Sequence, residues 1–188
     1  MSPNPPAICV YCGSRFGARP VYRAAAERLG SLIAERRWRL VYGAGDVGLM
    51  GIVAGAAQTH GGQTLGVIPQ HLLDREVGKR DLTQFVVTEN MHERKKVMFM
   101  NSHATVVLPG GAGSLDEFFE VLTWAQLGLH AKKIVLLDTD GYWGPLLALI
   151  DHVIAEGFAD ASLKSLFEIA ATAEEAMDII DMALAPAA

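Results

Sequence analysis

Cysteine is nearly absent: the 188-residue chain has two, Cys9 and Cys12. Two thiols build no disulfide framework, and no neighbouring histidine or third cysteine completes a zinc site. Their C-x-x-C spacing matches a redox pair. Redox pairs, however, commonly open a helix whose dipole lowers the first thiol's pKa. Here Cys9 lies inside the apolar run Ala7-Ile-Cys-Val-Tyr11 and Cys12 begins the turn behind it, so burial is the expected fate of both. Positive charge is also in deficit, with 16 Lys and Arg against 21 Asp and Glu and a net charge of -5. That balance argues against a general nucleic-acid binder, which needs a cationic excess to neutralise phosphates. Met1-Ser-Pro-Asn-Pro-Pro6 has neither the basic start nor the apolar run of a signal peptide. No apolar stretch reaches membrane-spanning length without a charge or glycine, so the expectation is a cytoplasmic protein with no membrane partner. The six histidines (60, 71, 92, 103, 130 and 152) show no metal-ligand spacing, and neither a G-x-S-x-G elbow nor a Walker A lysine occurs.

What the chain does have is regular alternation of short apolar runs and helical patterns. Strands are expected at Ala7–Tyr11, Trp38–Tyr42, Thr64–Ile68, Phe85–Thr88, Ala104–Leu108, Lys133–Leu137 and Phe167–Ala170. Helices are expected near Pro20–Arg36, Leu49–Thr59, Met91–Asn101, Ser114–Gly128, Trp143–Glu156 and Ala173–Ala185, with a surface loop and a short helix over 70–83. Near-continuous apolar strands alternating with helices predict an α/β fold. It is a Rossmann-like, doubly wound parallel sheet with helices on both faces. No linker or repeat interrupts residues 1–188, which are expected to form one nucleotide-binding domain. In such sheets ligands bind beyond the carboxyl ends of the strands. Three glycine-bearing turns emerge there: Gly13-Ser14, Gly43 to Gly48 and Gly110 to Gly113.

The strongest element is Pro109-Gly-Gly-Ala-Gly-Ser-Leu-Asp-Glu117, between a strand and a helix. Its glycines permit close backbone approach, and the unpaired N–H groups of the following helix suit a phosphate. Ser114-x-x-Glu117 also reads as a capping box, with Ser114 as N-cap. Gly43-Ala-Gly45-Asp-Val-Gly48 matches G-x-G-x-x-G but follows the second strand, and no acid at the end of the next strand awaits a ribose. A turn lining a phosphate or nucleotide site fits better than a dinucleotide site, with Gly45 as its candidate. Met91-His-Glu-Arg-Lys-Lys96 opens a helix that puts Met91 and Arg94 on one face. Arg94 and Lys95 are candidate anion ligands, and Lys96 is expected on the solvated face. Glu117 and Glu120 share a helix face at the expected ligand edge, where paired carboxylates serve glycosidic chemistry.

These segments together resemble the LOG ("lonely guy") family of cytokinin riboside 5'-monophosphate phosphoribohydrolases. Pro109 to Glu117 is similar to its P-G-G-x-G-T-x-x-E signature, and Met91-His-Glu-Arg-Lys95 to its M-H-x-R-K segment. Cys12-Gly-Ser14, Tyr42 to Gly51 and Thr123 to His130 match further blocks, so the resemblance spans about Ile8 to Ile180. It implies hydrolysis of the bond between an adenine-type base and ribose 5'-monophosphate, with AMP as a further candidate substrate. Arg94 and Glu117 would be the catalytic pair. Gly110, Gly111, Gly113 and Ser114 would hold the 5'-phosphate, helped by Ser14. No cofactor or metal is expected, and the partners are a small nucleotide and a second copy of the chain in a homodimer. Members were often labelled lysine decarboxylases, but no lysine here sits in a pyridoxal-phosphate setting. Ser114 replaces the signature threonine, and Ala44 stands where a third glycine is common, which is expected to trim the room near the ligand. A non-catalytic nucleotide sensor and, on Gly43 to Gly48 alone, a small NAD-dependent oxidoreductase stay open as alternatives.

Overall fold

Residues 5–73, 78–79 and 81–185 are described by the structure, a computed structural model. Every residue of the first strand, β1 (Ala7–Tyr11), is buried, because helices cover both of its faces. The remaining strands are β2 (Arg39–Tyr42), β3 (Gln63–Pro69), β4 (Gln84–Thr88), β5 (Ala104–Val107), β6 (Lys133–Leu137) and β7 (Glu168–Ala170). All pairings are parallel and the order is β4-β3-β2-β1-β5-β6-β7. The chain steps outward from β1 to β4, then returns to place β5 on the other side of β1. The gap between the ends of β1 and β5 is therefore the switch point at which a doubly wound sheet opens a crevice.

Helices α1 (Pro20–Glu35), α2 (Gly48–Thr59) and α7 (Ala173–Leu184) cover one face; α4 (Met91–Met100), α5 (Ala112–Gln126) and α6 (Gly144–Ala155) cover the other. The single turn α3 (Gln70–Leu73) follows β3. Alternation along β1 sorts its side chains between the layers: Ile8 and Val10 meet the α1 side, Ala7, Cys9 and Tyr11 the α5 side. Cys12 joins the layer opposite Cys9, both thiols are free and buried, and burial pushes both well up from the usual range. Two protonated thiols on opposite faces make no redox pair.

Most boundaries match expectation within two residues. At α5 the two-residue shift changes the capping: the helix begins at Ala112 with Gly111, not Ser114, as N-cap and no side-chain cap. Ser114 is thus the third helical residue and Glu117 lies a turn further in, so the capping box is not formed. The short helix expected over 70–83 is α3, and residues 74–77 and 80 of that stretch lie outside the described residues. Among the described residues no helix is long and apolar enough to cross a membrane.

Candidate active site

The three glycine turns interlock at the switch point. The Gly13 N–H donates to the Pro109 carbonyl at 3.1 Å, and the Leu49 N–H donates to the Gly13 carbonyl at 3.0 Å. Gly48 has φ +59°, and a Cβ there would lie 2.2 Å from the Ser14 carbonyl carbon. Gly48→Ala should therefore cost about 3 kcal/mol of stability, combining left-handed strain with a backbone clash. A melting curve matching that of the unmodified protein would refute this packing.

Over the turns lies a cavity of about 490 Å³, lined by Cys12 to Gly17, Pro109 to Ser114, Arg94, Glu117 and several apolar side chains. Its floor includes the first turn of α5, whose Ala112, Gly113 and Ser114 N–H groups precede any intrahelical acceptor. A Cβ on Gly111 or Gly113 would meet no atom within 4 Å, so both face open space. Gly110 instead packs tightly, since its Cβ would fall 2.0 Å from Ser114 Oγ. An uncapped helix start with open glycines can seat an anion, and the dipole of a 15-residue helix favours one there.

Arg94 reaches the same cavity from α4 and is buried. Its Nε–H donates to the Val67 carbonyl at 3.1 Å and Nη2 to the Gly43 carbonyl at 2.9 Å, while Nη1 lies 3.8 Å from Met91 Sδ. Five N–H groups less these three contacts leave two donors for a ligand, held in a fixed plane. Gly43 is the residue that makes room: a Cβ there would lie 1.8 Å from Nη2. The glycine-rich second loop thus packs against Arg94, and its Gly43 also lines the cavity as expected of this turn. Gly45 forms an isolated bridge with Gly78 and does not line the cavity. Ala44 has φ +58°, and its Cβ faces Gly66 on β3 rather than the ligand space, so it does not trim the cavity. The NAD reading, which rested on this loop, loses its footing.

Glu117 projects from α5 into the cavity and is 9 % exposed. Burial pushes its carboxyl up to about 7, with Arg94 pulling in the opposite direction and the neighbouring Asp116 adding to the rise. A carboxyl poised near neutrality beside a fixed guanidinium is what proton-transfer or sugar-cation chemistry needs. Lys95 and Glu120, both expected at the ligand, are elsewhere. Lys95 Nζ lies 2.9 Å from Asp116 Oδ2 and 3.1 Å from Glu120 Oε1, and neither Lys95 nor Glu120 lines the cavity. They tie α4 to α5. Neighbours on one helix point about 100° apart, so Arg94 and Lys95 take different partners.

Ser14, Met91, Arg94, Gly110, Gly111, Gly113, Ser114 and Glu117 all line the cavity. Further lining residues, among them Cys12, Arg15, Phe16, Tyr22 and Tyr142, lie outside the expected ligand-facing set. Arg15 and Phe16 directly follow the Gly13-Ser14 turn, and that position at a strand end is the sequence signal for them. Tyr142 follows β6, one more strand whose carboxyl end faces the crevice.

Residues 50–180 match the family model described as "Possible lysine decarboxylase". The cytokinin riboside 5'-monophosphate phosphoribohydrolase LOG7 of Arabidopsis thaliana is 45% identical over 168 residues, covering 89% of this chain and 77% of that protein. LOG3 of the same plant, under the same description, is 42% identical with 89% and 78% coverage. Among solved structures, the molybdenum cofactor binding protein of Rippkaea orientalis superposes with a TM-score of 0.74 at 23% identity, covering 98% of this chain and all of that one. A Moco carrier protein of Chlamydomonas rheinhardtii gives 0.71 at 21% identity, covering 97% and 99%. At such identities these two show the shared fold alone. With the signature loop, the buried arginine and glutamate, and relatives this similar over most of both chains, the protein belongs to the LOG family of cytokinin riboside 5'-monophosphate phosphoribohydrolases.

Proposed function

We propose that this chain hydrolyses the N-glycosidic bond of cytokinin riboside 5'-monophosphates, releasing the free base and ribose 5-phosphate, and that AMP is a second substrate. The observation carrying this reading is that one cavity holds an uncapped helix start, a buried arginine with two spare donors, and a buried carboxyl raised to about 7. The 5'-phosphate sits on the Gly110 to Ser114 turn with Ser14 at its side, and Arg94 orients the ribose. Glu117, as the carboxylate, stabilises positive charge at the anomeric carbon and accepts a proton from the attacking water. The new C–O bond forms as the C–N bond breaks, and the water's proton passes by way of Glu117 to the departing base, which restores the carboxylate. One domain carries the whole reaction.

Only ionised Glu117 can do this, so kcat/KM should fall on the acid side with a midpoint near pH 7. Lys95 helps keep it ionised, since its charge lowers the Glu117 pKa. Lys95→Met should therefore move that acid limb to higher pH and cost about 2 kcal/mol of stability, because Asp116 and Glu120 lose their cation. An unmoved limb would refute the coupling.

The protein is further proposed to be a cytoplasmic homodimer whose α4 and α5 face the partner. Exposed Met100 at the end of α4, and Leu127 and Leu129 just past α5, support that face. Incubation with N6-isopentenyladenosine 5'-monophosphate and with AMP, followed by chromatography for free base, tests the reading. Thermal stabilisation by both nucleotides with no base released would instead mark a nucleotide sensor.

A further inference from the structure

The carbonyl of Gly110 is held by a residue far away in sequence. Tyr142 Oη donates to the Gly110 oxygen at 2.6 Å. Tyr142 is itself fixed. Its ring meets Tyr22 edge-on at 5.4 Å and Trp143 at 4.8 Å. The Trp143 N–H donates to Asp138 Oδ1 at 2.6 Å, and its Nε1–H to the Val107 carbonyl at 3.3 Å. The turn between β6 and α6, with φ +57° at Asp140 and +74° at Gly141, is further tied to the start of α1 by an Arg19–Asp140 ion pair.

The peptide joining Gly110 to Gly111 has glycine on both sides, so little in its own sterics fixes its orientation. It is trans, as are all the described peptides. Its N–H therefore points opposite to its C=O. Anchoring the Gly110 oxygen to Tyr142 thus dictates where the Gly111 N–H points.

We infer that Tyr142 is a positioning residue for the anion seat: by holding the Gly110 carbonyl it turns the Gly111 N–H toward the ligand's phosphate, adding a fourth donor to the three of the α5 first turn. The residue touches the loop and acts through it. The inference rests on the reading of this cavity as a 5'-phosphate site, and it explains why a tyrosine, with a hydroxyl at the end of a rigid ring, stands at this turn.

Tyr142→Phe keeps the ring and both aromatic contacts while removing the hydroxyl. Calorimetric binding of ribose 5-phosphate and of adenine to the intact protein and to this variant gives the test. Expected is a roughly tenfold weaker Kd for ribose 5-phosphate in the variant, with the Kd for adenine unchanged. In turnover, KM for the 5'-monophosphate should rise by about the same factor, with kcat within about threefold. Equal ribose 5-phosphate affinity in both proteins would overturn the role of Tyr142 and leave the phosphate-site reading standing. Equal weakening toward both ligands would also overturn it, showing a general structural role. No ribose 5-phosphate binding by the unmodified protein would overturn both readings together.

Discussion

Glu117→Gln is expected to lower kcat by about 10³-fold or more while leaving substrate affinity within about threefold, and at the same time to stabilise the protein at alkaline pH. The two effects share one cause. Free glutamate titrates near 4.5, whereas burial holds this carboxyl up to about 7. Between those values the folded state keeps a proton that the unfolded state has released, so stability falls as pH rises through the window. A gap of about 2.5 pH units corresponds to about 3 kcal/mol, present in full above pH 7 and absent below about pH 4.5. Glutamine carries no such penalty. The variant should melt several degrees above the unmodified protein at pH 8, and the two should converge near pH 4. A variant that is inactive but no more stable at pH 8 would mean that Glu117 is already ionised at little cost. A variant that still turns over would remove Glu117 from the chemistry.

The second large effect is expected at a residue that touches no reacting atom. Gly43→Ala places a methyl 1.8 Å from Arg94 Nη2 and 2.9 Å from its Cζ, a collision with a buried head that two backbone carbonyls hold in place. Arg94 must leave its seat and surrender the hydrogen bonds to Gly43 and Val67. Loss of about 10²-fold or more in kcat/KM follows, along with a stability cost of about 2–4 kcal/mol from a buried charge deprived of its acceptors. A double-mutant cycle isolates the cause. In an Arg94→Ala background the added methyl has nothing to strike, so Gly43→Ala should cost little more. Fully additive losses would show that Gly43 matters for a reason other than Arg94.

The same glycine illustrates what the sequence could and could not say. The strands were legible because a buried parallel sheet demands uninterrupted apolar runs, and Ala7–Tyr11 or Lys133–Leu137 read no other way. The glycine loop at 110–113 and Arg94 were legible as groups gathered at the strand ends, where they line the cavity. The role of Gly43 was not, because its steric partner is 51 residues away. Ser114-x-x-Glu117 carried a genuine local preference for capping, yet the N-cap is Gly111, three residues earlier, and the first turn of α5 has no side-chain cap. Lys95 and Glu120 were chemically right for the site, but only the packing of α4 on α5 reveals that they satisfy each other. Tyr142 lay beyond reach for the same reason, being 32 residues from the carbonyl it holds. Pairwise tertiary contacts, not residue types, decided each of these.

Cleavage in this cavity is proposed to depend on a seated 5'-phosphate. It is tested most directly by following the unmodified protein with N6-isopentenyladenosine 5'-monophosphate and, in parallel, with the phosphate-free riboside. The predicted result is equimolar free base and ribose 5-phosphate from the monophosphate, with the riboside slower by about 10²-fold or more. No base from the monophosphate, or equal rates from both substrates, would contradict it.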